Sequence, residues 1–275
     1  MASLSSTSSI NEEKASAAFS KQAVVFDALY SADRIVQYKR KRVRAHVLQY
    51  AKPNGKILEL NAGTGEDAIY FARQGYRVHA TDISSGMQTI LAQKVDNDHL
   101  SERITNEICS YTELETLIDK GPYDHIFSNF AGLNCTDRLD KVLGSFAPLL
   151  QKQGMVTLVV LPKFCLWEFA LLLKGKWKTA FRRFAGKKGA RSHIEGEYFT
   201  CWYYDPSFII KALENEFELL SVEGLCTLVP PSYIQGFAEK YPRLFTRLCQ
   251  LENRWRSNWP WRSIGDYYII SLRKR

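Results

Sequence analysis

The stretch Lys56–Met87, KILELNAGTGEDAIYFARQGYRVHATDISSGM, reads as a strand, a glycine turn, a helix and a second strand that ends in an acid. Ile57 to Leu60 form a short apolar strand, and Gly63 and Gly65 permit a tight turn in which backbone can come close to a ligand. Glu66 to Gln74 then carries Ala68, Phe71 and Ala72 at helical spacing, with Gly75 as the stop. Arg77 to Ala80 supplies the second strand, and Asp82 follows at its carboxyl end, where an acid can accept two ribose hydroxyls. The pattern is that of a nucleotide-cofactor site.

Two cofactor classes use this arrangement. Read as Gly63-x-Gly65-x-x-Ala68, the turn is a passable dinucleotide fingerprint, which sets a pyrophosphate on a helix N-terminus. Glu59, Glu66 and Asp67 flank it, however, and three carboxylates raise the cost of bringing a doubly anionic group close. S-adenosylmethionine, with a sulfonium, an ammonium, a carboxylate and no phosphate, suits them better.

These residues resemble the class I S-adenosylmethionine-dependent methyltransferases, particularly their small-molecule branch, from about Phe26 to Leu161. The resemblance makes Glu59, Asn61, Ala62, Gly63 and Gly65 the first cofactor motif, with Asp67 just beyond it, and Asp82 the ribose acid. It implies that the Asp82-Ile83-Ser84-x-x-Met87 loop packs on the adenine and that Ser110-Tyr111 lies near the adenine amine. Asp124 to Asn134 looks like the fourth strand, with Asn129 and Phe130 at its mouth beside the transferable methyl. Two positions depart from the family pattern: Asn61 stands where a glycine is common, and Ser110 where an aspartate is.

Alternating strand and helix signals imply a parallel sheet with helices on both faces. The expected strands lie near 56–60, 77–81, 104–109, 124–128 and 155–161. Phe217–Leu228 and Asp266–Leu272 add two more, which the resemblance makes an antiparallel pair at one edge of a Rossmann-like, seven-stranded mixed sheet. The organisation expected is a flexible tail over 1–20 and a single domain over 21–275. That domain comprises a helical cap (21–50), a cofactor-binding core (51–161) and two lid insertions (163–206 and 230–265).

The tail is rich in Ser, Ala and Glu and lacks the apolar core of a signal peptide. The run Phe164–Leu173 is interrupted by Glu168 and falls well short of the roughly 20 residues of a membrane span. Six scattered cysteines form no C-x-x-C pair, and the histidines show no ligand spacing, so neither a disulfide framework nor a metal site is expected. A cytoplasmic protein with reduced thiols fits best.

The net charge of +8 is unevenly spread, because residues 51–160 hold 10 Lys and Arg against 14 Asp and Glu. One basic cluster, Lys39 to Arg44, sits on the expected cap. Another runs from Lys163 to Arg191, interleaved with Trp167, Trp177, Phe181 and Phe184. It reads as a solvated cationic surface, as a membrane-surface contact, or as a nucleic-acid patch, in that order. A continuous amphipathic helix fails there, since Lys174 and Lys178 share a side with Trp167 and Phe181, and a bend at Gly175 would repair it. No RNA-binding module signature is present, so a nucleic-acid partner is not expected.

Both insertions are rich in aromatics, which favours a small, aromatic or hydrophobic acceptor, methylated by in-line displacement. Candidate catalytic groups in the first lid are His193 as base, with Tyr203 and Tyr204 as positioning hydroxyls. The alternatives are a nucleic-acid methyltransferase, although Asn129 is followed by Phe130-Ala131 and not by a proline pair, and a non-catalytic homologue that only binds the cofactor.

Overall fold

The computed structural model describes residues 7–275. Seven strands form one mixed sheet: β1 (Lys56–Leu60), β2 (Arg77–Asp82), β3 (Ile104–Ile108), β4 (Tyr123–Ser128), β5 (Leu150–Val160), β8 (Phe217–Leu225) and β9 (Tyr267–Lys274). Their order is β3-β2-β1-β4-β5-β9-β8. The first five run parallel, β9 is antiparallel to β5, and β8 is antiparallel to β9. This is the Rossmann-like sheet expected, its parallel part from the strand and helix alternation and its antiparallel edge from the family resemblance. A separate hairpin, β6 (Ala190–Ile194) with β7 (Glu197–Cys201), lies within the first insertion and was not foreseen.

Strand residues divide between two cores by the alternation that a pleated strand imposes. Leu58, Leu60, Ile126, Val156, Leu158 and Ile270 face one layer, which includes Leu139, Phe146, Ile209 and Leu213. Ile57, Phe127, Val159 and Ile269 face the other, packed on Val43, Val47, Ala68, Phe71 and Leu91. That second layer is made by α2 (Arg34–Tyr50), α3 (Glu66–Arg73) and α4 (Ser85–Asn97). Asp33 caps α2, its Oδ1 accepting the N–H groups of Ile35 and Val36.

The N-terminal part departs most from expectation. Residues 7–20 are not a frayed segment: they are the first half of a 25-residue helix, α1 (Thr7–Ser31), whose Ala15 and Ala18 are buried against Cys135 and Phe199. Residues 1–6 of the expected tail lie outside the described residues. Small side chains let α1 approach closely, as at Gly86, where an added Cβ would stand 3.0 Å from Ser20 Cα. The second insertion closes on α2 through Ile35, Val229, Ala238 and Phe245. Among the described residues no helix is long and apolar enough to cross a membrane.

Candidate functional site

The strand order reverses direction between β1 and β4, so the loops leaving the carboxyl ends of β1, β2 and β4 splay apart and leave a crevice. A pocket with about 860 Å³ of empty space, its open mouth included, fills that crevice. Glu59, Asn61, Ala62, Gly63, Asp67, Asp82, Ile83, Met87, Tyr111, Asn129 and Phe130 all line it. The sequence brings these together from four loops. Two other positions expected there do not line it. Gly65 (φ 79°) opens α3, and a Cβ on it would lie 2.0 Å from Leu91 Cδ1, so its role is local geometry. The Ser110 hydroxyl donates instead to Glu12 Oε2 at 2.5 Å.

Local chemistry sets each wall. Asp82 accepts the N–H groups of Gly63 (2.9 Å) and Ser84 (2.8 Å), which aims its carboxylate across the turn. Burial raises its pKa, with those two N–H bonds pulling the other way. Glu59 is buried, and its Oε2 has no hydrogen-bond partner. Burial pushes its carboxyl well above the ordinary range; Asp67 adds to the rise and Arg44 opposes it. At Gly63 (φ 58°) a Cβ would meet nothing within 4 Å, so the backbone face is open to the pocket.

Asn61, the departure from the glycine pattern, adopts φ 48°, a left-handed conformation that asparagine tolerates. Its side chain ties the end of β1 to the end of β4: Nδ2 donates to Asn129 O (2.9 Å) and Oδ1 accepts from Ser128 Oγ (2.6 Å). Gly132 makes room, since a Cβ there would fall 2.2 Å from Asn61 Cγ. Beyond Asn129, Phe130 and Ala131 both hold positive φ (47° and 62°). Such strain costs on the order of 1–3 kcal/mol per residue, and here it accompanies the placement of Phe130 in the pocket wall, against Tyr267 and under Lys39.

The acidic flank of the turn is largely compensated. Arg44 Nε donates to Asp67 Oδ1 (2.6 Å), Arg40 to Glu66 (2.7 Å) and Lys94 to Glu66 (2.8 Å). Burial raises the Glu66 pKa, but Lys94, Arg40 and Arg44 hold it below its ordinary value. The charge argument against a pyrophosphate therefore loses Glu66 and Asp67, which have cations of their own. The basic cluster on α2 is likewise turned mostly inward, with Lys41 exposed. Arg40 and Arg44 turn to the turn's acids, and Arg42 pairs with Glu223 at 2.8 Å.

The roof was missed. Glu12, Ala15, Ser16, Phe19 and Phe26 of α1 and Arg40 of α2 line the pocket. α1 is pinned by Ser16 Oγ to Ile83 O, by the Ser20–Ser84 hydroxyl pair (2.7 Å), and by Asn11 to Cys135 O and Thr200 O. The available signal was the spacing of Asn11, Ala15, Ala18 and Gln22, a narrow stripe of small or polar residues that the serine-rich composition obscured.

The proposed catalytic groups are displaced. His193 is exposed on β6 and packs on Tyr198. Tyr203 is buried beneath the Arg183 guanidinium, and Tyr204 is buried with its hydroxyl donating to Thr136 O (2.6 Å). None of the three lines the pocket. The Tyr203 and Tyr204 rings are buried where the first insertion returns to the sheet, whereas His193 stands on the exposed hairpin.

Residues 57–154 match a family model described as a methyltransferase domain. No curated protein sequence matches the chain. Among solved structures, it is similar to the Burkholderia thailandensis 1,6-didemethyltoxoflavin-N1-methyltransferase, crystallised with 1,6-didemethyltoxoflavin and S-adenosylhomocysteine. That match has 14% identity and a TM-score of 0.58, covering 98% of this chain and 91% of that one. The Streptomyces coelicolor A3(2) geranyl diphosphate C-methyltransferase, solved with Mg2+, geranyl diphosphate and S-adenosylhomocysteine, matches at 13% identity and a TM-score of 0.56, covering 86% and 78%. The cyclase SpnF matches at 17% identity and a TM-score of 0.52, covering 85% and 80%. At these identities the likeness is one of fold.

Proposed function

We propose, from the match of residues 57–154 to a methyltransferase-domain model, that the protein transfers a methyl group from S-adenosylmethionine to a small, hydrophobic or aromatic acceptor. The observation that carries the reading is the buried, unpartnered Oε2 of Glu59 in the same pocket as Asp82 and the open face of Gly63. A buried carboxylate oxygen without a donor is costly unless a cation completes it. The ammonium of S-adenosylmethionine is such a cation, and Asp82 is free on its pocket side to accept ribose hydroxyls. Ile83, Met87 and Tyr111 supply an apolar slot of the kind a purine requires.

When bound, S-adenosylmethionine supplies an electrophilic methyl on a sulfonium. The chain then has to orient an acceptor for in-line displacement and exclude water. Phe19, Phe26 and Phe130 form an apolar wall suited to a greasy or flat acceptor, and α1 roofs the chamber. Because the fold is shared with a protein named as a cyclase, the fold alone does not carry the transfer; the Glu59 carboxylate supports cofactor binding, and transfer needs its own assay. A cytoplasmic setting accords with the free thiols.

Thermal shift with adenosylhomocysteine, NAD and NADP tests the cofactor. Adenosylhomocysteine raises the Tm by mass action and the dinucleotides do not. Asp82→Ala weakens adenosylhomocysteine by about 1.5–3 kcal/mol, as expected for lost charged hydrogen bonds. A larger shift with a dinucleotide, or unchanged affinity in Asp82→Ala, overturns the assignment. Incubating the protein with labelled cofactor and a panel of hydrophobic metabolites then tests transfer itself.

A further inference from the structure

The segment following β5 presents apolar rings and lysines to solvent together. Phe169, Leu173, Trp177, Phe181 and Phe184 are all exposed, Leu173 at 92% and Trp177 at 63%. They do not lie scattered: Trp177 stacks on Phe181 at 6.4 Å, Phe181 meets Phe169 at 6.2 Å and Phe184 at 6.1 Å, and Phe164 closes the group against Phe169 and Phe184. A contiguous open aromatic layer of this kind marks an interaction surface. The chain bends at Gly175 (φ 70°), between the short helical turn Leu171–Lys174 and the helix Trp177–Phe181. That bend lets Leu173 and Trp177 reach solvent among Lys174, Lys176 and Lys178, instead of alternating around one straight helix.

Charge gives the patch its partner. Between Lys163 and Ile194 the one acidic residue is Glu168, and it is buried and bound by Arg182 and Arg183. Lys174, Lys176, Lys178, Lys187 and Lys188 are exposed around the rings. The layer is held rigidly from beneath. Arg183 is buried and donates to Glu168, to Pro162 O and to both the carboxylate and the carbonyl of Asp266. This guanidinium also fills the space among Cys165, Glu168 and Asp266, whose ligand atoms otherwise converge as a metal site would.

We propose that this patch docks the protein on an anionic phospholipid surface, with Leu173, Trp177, Phe181 and Phe184 entering the interface and the lysines contacting headgroups. Interfacial binding needs buried apolar area and electrostatic attraction together, and this segment offers both on one face. A nucleic acid would use the lysines and stack on the rings, but would leave a nearly fully exposed leucine without a purpose.

The test is co-sedimentation of the full chain with phosphatidylcholine vesicles, with and without phosphatidylglycerol. Partitioning onto the mixed vesicles should exceed that onto phosphatidylcholine alone by about tenfold or more, and fall as salt is raised. Leu173→Ser with Trp177→Ser, and separately Lys174→Glu with Lys176→Glu and Lys178→Glu, should each lower it by about tenfold. Their adenosylhomocysteine affinity should stay unchanged. Leu173→Ser alone, at an almost fully exposed site, should give part of the loss without any folding cost. Equal binding to both vesicle types, or none, overturns the proposal. So does apolar substitution without effect alongside tight binding to a homopolymeric RNA, which would make the patch a nucleic-acid surface.

Discussion

At the scale of single residues, Glu59 carries two opposed consequences. Its carboxyl is raised by burial relative to the unfolded chain, so the group's stabilising contribution is complete below the ordinary glutamate range and is lost as pH rises towards the folded value. Glu59→Gln should therefore raise the Tm of the ligand-free protein near pH 7, and the gain should vanish as pH falls below that ordinary range. The same substitution should weaken adenosylhomocysteine by about 1–3 kcal/mol, because the ligand's ammonium selects the ionised carboxylate. Calorimetry across acid to neutral pH should show affinity rising with pH in the parent, with the slope reduced in the variant. A parallel loss of stability and affinity would mean that Glu59 is merely structural. That Glu59, Gly63 and Asp82 converge on one pocket was legible because a glycine turn between two strands constrains which groups meet at their carboxyl ends. Tyr203, Tyr204 and His193 were misjudged because aromatic residues in a lid have the same sequence signature whether they face a pocket or a core.

Among the elements, α1 roofs the pocket, so its hold on the sheet should set how fast a ligand leaves. The roof residues Ser16 and Phe19 stand over Asp82 and Ile83, and Ser20 lies against Gly86 at the start of α4. Gly86→Val would drive side-chain atoms into the Ser20 backbone and lift this end of the helix. The expected result is dissociation of adenosylhomocysteine faster by about tenfold, with the sheet's Tm little changed, since only the roof contact is lost. Stopped-flow displacement measures the first and thermal denaturation the second; an unchanged off-rate would show that ligand leaves by another route. The seven strands were readable from their apolar runs and spacing. α1 was not, because its ordering comes from partners far along the chain: Cys135, Phe199 and Thr200. The β6–β7 hairpin was hidden for a related reason, its strands being short, half-exposed and interrupted by charges.

For the whole molecule, the first insertion is fastened by one buried cation. Arg183→Leu leaves Glu168 and Asp266 facing each other without their shared guanidinium, and removing one member of a buried ionic group costs about 3–5 kcal/mol. Denaturant melts should show that loss. Glu168→Gln with Arg183→Met should recover part of it, and additive losses would argue against a shared network. The fastening of α1 has a consequence in time as well as in space. Asn11 hydrogen-bonds Thr200, 189 positions away, so α1, which leaves the ribosome before the sheet, completes its packing only after the β6–β7 hairpin has been made. Contacts of such sequence separation form late and slowly. A nascent chain halted after β5 has the glycine turn, both acids and the α1 contacts to Ile83 and Ser84 but not those to the hairpin, and so should capture cofactor more weakly until the hairpin has emerged.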